Sequence, residues 1–112
     1  MTKNEINSTI EKCVTFQNSI KVFEYPKNDW KFLKVFMIGV KKDLFPFDGY
    51  WPSFGKHFEA MDTADNFMNN MNNSIEEREE KYFELKGDIY FCLESYVGHL
   101  EHKREDIFGN AN

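Results

Sequence analysis

The chain is short of the residues that punctuate or crosslink a fold: three prolines, six glycines and two cysteines in 112 residues. Cys13 and Cys92 are too few and too far apart for a disulfide framework or a zinc site. Each falls on an apolar helical face, so both are expected as reduced core thiols, which pack as small hydrophobes. Long apolar runs are also missing. The longest, Val35-Phe36-Met37-Ile38-Gly39-Val40, is far below the ~20 residues of a membrane span. The first eight residues lack the apolar run of a signal peptide. A cytoplasmic protein with no membrane contact is therefore expected. Neither a Gly-rich phosphate loop nor a Gly-x-Ser-x-Gly or Cys/His nucleophile arrangement occurs. Carboxylates are plentiful, but nothing in the sequence marks a pocket that would raise one of their pKa values. The expectation is a protein that is not an enzyme and has no cofactor.

Positive charge is scarce where negative charge is abundant. Residues 1–56 carry nine lysines against six acids, a net +3, while residues 57–112 carry five cations against thirteen acids, a net −8. The overall charge of −5 weighs against direct nucleic-acid binding, which rests on Lys and Arg neutralising phosphates. A field of one sign over half the chain bears on partners and association rates instead.

Aromatic residues are plentiful: twelve Phe, five Tyr and two Trp. Such ring content excludes disorder, and 112 residues suffice for one domain with a single core. Thr2-Lys3-Asn4-Glu5 reads as a capping box. Ile6, Ile10, Cys13 and Val14 follow at helical spacing, with Phe16 and Ile20 extending the series, which predicts a helix over 3–20. Residues 20–40 admit two readings. Asp29 caps a helix over 30–42, or two strands form a hairpin about residues 26–29. On a wheel Lys31, Lys34, Lys41 and Lys42 share an arc of about 100°, which favours the helix, with Ile38 as its misfit. Prolines 46 and 52 with Gly49 predict a loop over 43–53. Phe54, Phe58, Ala60, Met61, Ala64, Phe67, Met68 and Met71 then define one side of a helix over 54–72, with Ser53 as its N-cap. The asparagines at 69, 70, 72 and 73 look like its end. Ser74-Ile75-Glu76-Glu77 is a second capping box. From Ile75 through Tyr82, Leu85, Ile89, Cys92, Leu93, Tyr96 and Leu100 one helical phase holds across Gly87, predicting a helix over 75–104. The expected fold is all-α, a single-domain bundle of four helices, with an α+β fold as the alternative.

Three constellations are candidates for function. Glu76, Glu77, Glu80, Glu84, Glu94 and Glu101 lie opposite the apolar stripe of the last helix. Solvation and the helix dipole account for them without function. Phe91 on the same side, with Phe83 and Tyr90 beside it, points instead to an interface where rings anchor and carboxylates steer a basic partner. The second is the aromatic loop: Phe45, Phe47, Tyr50, Trp51, Phe54 and Phe58. These rings close one end of the bundle, or Tyr50 and Trp51 at the Asp48-Gly49 turn belong to a binding surface. The third is His99 and His102, about 60° apart on the wheel with Glu101 and Glu105 nearby. Their spacing does not define a metal site, and none is expected.

Small size, acidity and helicity are shared with bacterial immunity proteins, antitoxins and phage-encoded inhibitors, although no motif belongs to one family. The expected function is a protein-binding inhibitor of the immunity or antitoxin type that neutralises a basic partner such as a toxin or nuclease. A phage-encoded inhibitor of a nucleic-acid-binding defence protein is a variant of that reading. The alternatives are a helical module that self-associates through its Met-rich face and, more remotely, a metal-binding enzyme. The expected assembly is a monomer or homodimer.

Overall fold

The computed structural model describes residues 1–25, 29–45, 47–49, 51–70 and 72–109. Thr2 opens the first helix, α1 (Lys3–Lys21): its hydroxyl accepts from the Glu5 N–H at 3.1 Å and its own N–H donates to Glu5 Oε1 at 2.9 Å. That reciprocal pair satisfies two of the donors a helix start leaves orphaned. The second helix, α2 (Trp30–Leu44), begins where the Asp29 carboxylate accepts from the Lys31 N–H at 3.0 Å. It settles the ambiguous stretch in favour of the all-α fold, and there is no strand among the described residues. The physical reason is periodicity: Trp30, Leu33, Met37, Val40 and Leu44 are all buried, at a spacing only a helix presents to one side.

The third helix, α3 (Trp51–Asn69), starts three residues before the expected 54. Pro52 in its first turn is no obstacle, since the N–H it lacks would have no intrahelical partner there. The helix ends before 72, where asparagine side chains take over the backbone's hydrogen bonding. Asn73 Nδ2 donates to the Phe67 carbonyl at 3.0 Å, and Asn70 Oδ1 accepts from the Asn72 N–H at 2.9 Å. Ser74 and Glu77 cap the fourth helix, α4 (Ile75–Phe108), with the same reciprocal pair as Thr2 and Glu5. It passes unbroken through Gly87 and stops one turn beyond the expected 104. Gly109, at φ 73° and ψ 173°, takes an extended positive-φ conformation that glycine adopts without a Cβ penalty, and the helix ends there.

Consecutive helices run antiparallel. Phe16 meets Phe36 between α1 and α2, Trp30 meets Asp65 between α2 and α3, and Phe54 meets Tyr96 between α3 and α4. The loop back to α1 closes through Arg104 on Asn7 and Lys86 on the carbonyls of Lys21 and Phe23. The helices α1 and α3 each touch both others, so α2 and α4 sit on opposite corners. The bundle measures 56 × 24 × 18 Å.

The core is continuous, from Ile6, Cys13 and Ile20 of α1 through Leu33 and Val40 to Tyr82, Leu93 and Leu100. Met61 and Met68 are buried in it, so these two methionines of the Met-rich side of α3 are interior packing; Met71 lies outside the described residues. Three expectations need correcting. Val14 and Ile75 are exposed, Ile75 because it opens α4 ahead of the buried stripe that begins at Tyr82. On α2 the misfit is wider than Ile38: Phe32, Val35 and Ile38 are 53%, 67% and 67% exposed. A corner helix touches two neighbours and has no third element to cover its outer side.

Acidic face of the last helix and the aromatic loop

The helix α4 buries Tyr82, Leu85, Ile89, Cys92, Leu93, Tyr96 and Leu100 along one side. At 100° per residue this places Glu76, Glu80, Glu84, Glu94 and Glu101 on the other, and all five are exposed. Glu77 is exposed too, but it is engaged in the capping box. Glu84 lies 3.8 Å from Lys81, a loose surface pair of little energy.

Phe91 stands in the middle of these carboxylates with 64% of its surface open, and Phe83 is 42% exposed two turns before it. Among the described residues no loop lies over that face. Tyr90 is half-buried and meets the Phe91 ring edge-on at 5.6 Å. Lys86 sits over the Phe83 ring at 5.4 Å while its ammonium reaches the end of α1, donating to the Phe23 carbonyl at 2.6 Å and the Lys21 carbonyl at 3.1 Å. Burial lowers its pKa, with Glu24 opposing. Lys86 therefore caps a helix terminus rather than neutralising the face. Gly87 lies between Phe83 and Phe91, and a Cβ there would meet nothing within 4 Å. The two rings and this gap form a shallow groove of about 430 Å³ whose far wall is Ile20 and Lys21.

The aromatic loop divides. Phe47 and Phe54 are wholly or almost wholly buried, stacked at 4.5 Å, and Phe58 is half-buried against them. These rings close one end of the bundle. Phe45 departs from that expectation: it is 66% exposed and meets Phe47 edge-on at 6.4 Å. It directly follows α2, and the ring that enters the core is that of Phe47. Tyr50 lies outside the described residues, and Trp51 is placed only as the first residue of α3.

The turn at Phe47 and Asp48 is left-handed, with φ of 65° and 46°. Asp tolerates that conformation better than most residues, and its side chain is used. Lys103 donates to both Asp48 oxygens at 2.6 and 2.7 Å, and His99 Nε2 lies 3.6 Å from one of them. The His99 ring stacks on Tyr96 at 6.1 Å. The loop is thereby fastened to α4. Sequence reasoning missed Lys103 entirely. The Asp-Gly pair signals a turn, but no local signal names a partner 55 residues away. His99 and His102 do not converge, since His102 turns to Asp106 at 3.6 Å. Among the described residues no three His, Cys, Asp or Glu side chains are placed to share a metal ion.

No protein-family model, curated protein or solved structure matches this chain.

Proposed function

We propose that the chain is a protein-binding inhibitor that takes a basic partner on the outer face of α4, in the manner of an immunity or antitoxin-type protein. The observation that carries this reading is Phe91, a largely exposed ring set among exposed carboxylates. A solvated helix face has no use for such a ring, whereas an interface uses it as an anchor surrounded by steering charge. Glu76, Glu80, Glu84, Glu94 and Glu101 form the surround, and Glu77 contributes charge while holding the cap. On this reading the protein acts by occupying its partner, with no chemistry of its own.

The test is affinity capture from the native host with three baits. The wild-type protein should capture a basic protein, and the triple variant Glu80→Lys, Glu84→Lys, Glu94→Lys should not. With that partner purified, Phe91→Ala should weaken binding by about 2 kcal/mol or more, chiefly as faster dissociation. The same variant should melt within ~0.5 kcal/mol of wild type, as exposed substitutions do. Equal capture by the charge-reversed bait would overturn the proposal. So would a loss of ~3–5 kcal/mol in the isolated Phe91→Ala protein, the signature of a core Phe.

A further inference from the structure

The outer side of α2 is the chemical complement of the outer side of α4. Phe32, Val35 and Ile38 form a ridge of exposed apolar side chains at i, i+3 spacing, one of the rows along which helices interlock. Lysines flank it. Lys34 is held by Asp65 at 2.8 Å and Lys41 lies over the Phe58 ring at 5.7 Å, but Lys31 and Lys42 have no side-chain partner among the described residues. The ridge therefore presents apolar surface with free positive charge. Across the bundle, α4 presents Phe83 and Phe91 with the gap at Gly87 between them. Lys21 and Lys86 edge that gap, Lys86 with its ammonium turned to the end of α1, and the exposed carboxylates of Glu80 and Glu94 lie beyond it.

The two faces lie on opposite corners of the bundle and cannot meet within one molecule. They can meet between two. We propose that the partner of the α2 ridge is a second copy of this chain, docked head to tail with Val35 of one copy in the Gly87 gap of the next. Lys42 lies two turns from Val35, and Glu80 and Glu94 lie two turns to either side of Gly87. Lys42 is thus brought level with a carboxylate whichever way the helices run. An i, i+3 ridge entering an i, i+4 groove crosses at a shallow angle of about 20°, so contact extends over several turns. The interface uses different patches on the two copies. It propagates into a ring or an open filament rather than closing as a two-fold dimer. It also shares α4 with the basic partner proposed above, so the two are mutually exclusive there. The α2 ridge is the part that belongs to self-association alone.

The experiment is sedimentation velocity over a range of concentrations at low and high salt. The average mass of the wild-type protein should rise with concentration and fall with added salt. Val35→Glu, on the α2 face, and Phe91→Ala with Glu84→Lys, on the α4 face, should each weaken association at least about tenfold. Mixed together, these two variants retain one good face each and should form a dimer and nothing larger. If Val35→Glu does not fold, as read by circular dichroism, Lys31→Glu with Lys42→Glu makes the same test of the α2 face. A wild-type protein monomeric throughout would overturn the proposal. A dimer that mixing does not restore would show a two-fold interface and overturn it equally. If the α2 variant instead loses affinity for vesicles of anionic lipid, with the wild-type mass constant, the ridge is a membrane surface. The α2 variant should still bind the basic partner, so failure here is distinguishable from failure of the inhibitor reading.

Discussion

At the scale of single residues, Asp65 joins α2 to α3. One of its oxygens accepts from Trp30 Nε1 and from Lys34 Nζ, each at 2.8 Å. Those hydrogen bonds, Lys34's first, hold its pKa below the usual 3.8. A carboxyl depressed in the folded state stabilises the fold above its unfolded pKa, and that contribution is lost as pH falls through the lower folded value. Stability should therefore decline on acidification below about pH 4. Asp65→Asn should lower the melting temperature at neutral pH and shrink the difference between pH 6 and pH 3, as thermal melts at the two values will read. The thiols set the opposite limb. Burial pushes Cys13 and Cys92 up to about 12 from 9.0, with Cys92 adding to the shift at Cys13. A group raised in the folded state supports the fold below its unfolded pKa, and the support disappears as pH rises toward the folded one. Stability should fall between pH 9 and about 12. At neutral pH both thiols should resist an alkylating reagent until denaturant is added, because the thiolate is the reactive form. Mass spectrometry of the labelled protein checks this, and rapid labelling without denaturant would contradict their burial.

At the scale of elements, α4 carries a glycine in its middle that packing does not require. Because a Cβ at Gly87 meets only open space, Gly87→Ala should stabilise the protein by roughly 0.5–1 kcal/mol, the ordinary helix-propensity gain. Urea denaturation measures it. If the gap accepts Val35 of another copy, the same change should weaken self-association while strengthening the fold. Much of each helix was legible in sequence because its determinants are local. Thr2 with Glu5 and Ser74 with Glu77 mark two starts, and apolar residues at 3.6 spacing mark the buried sides. The end of α3 was legible in its asparagines for the same reason. The aromatic loop was not, since whether Phe45 or Phe47 turns inward depends on the left-handed backbone at 47 and 48 and on Lys103, far along the chain. The α2 ridge escaped because periodicity identifies the inward side of a helix but not how much of the rest its neighbours cover. The acidic face could be placed on the outer side of α4, because its charge and its opposition to the apolar stripe are both one-dimensional patterns.

At the scale of the whole molecule, the charge asymmetry between the halves becomes spatial. The Lys-rich α2 and the Glu-rich α4 occupy opposite corners of a bundle about 20 Å across, twice the ~10 Å over which 0.1 M salt screens a charge. An approaching basic protein therefore feels mainly the nearer face. Its association rate should fall with added salt, and reversing Glu80, Glu84 and Glu94 to lysine should both slow association and flatten that dependence, which stopped-flow measurements at several ionic strengths will show. The length of α4 has a consequence of a different kind. Its 34 residues span about 51 Å, nearly the full long dimension, and it is the principal surface on which α1 rests. On the ribosome the four helices emerge in order, α1 first and α4 last. Throughout the synthesis of residues 22–74 the stripe of Ile6, Cys13 and Ile20 has yet to receive its main partner, and the pairing that finally covers it joins the two ends of the fold. Folding of the nascent chain must wait for that closure, leaving a window in which chaperones or a protease can reach α1 before the bundle exists.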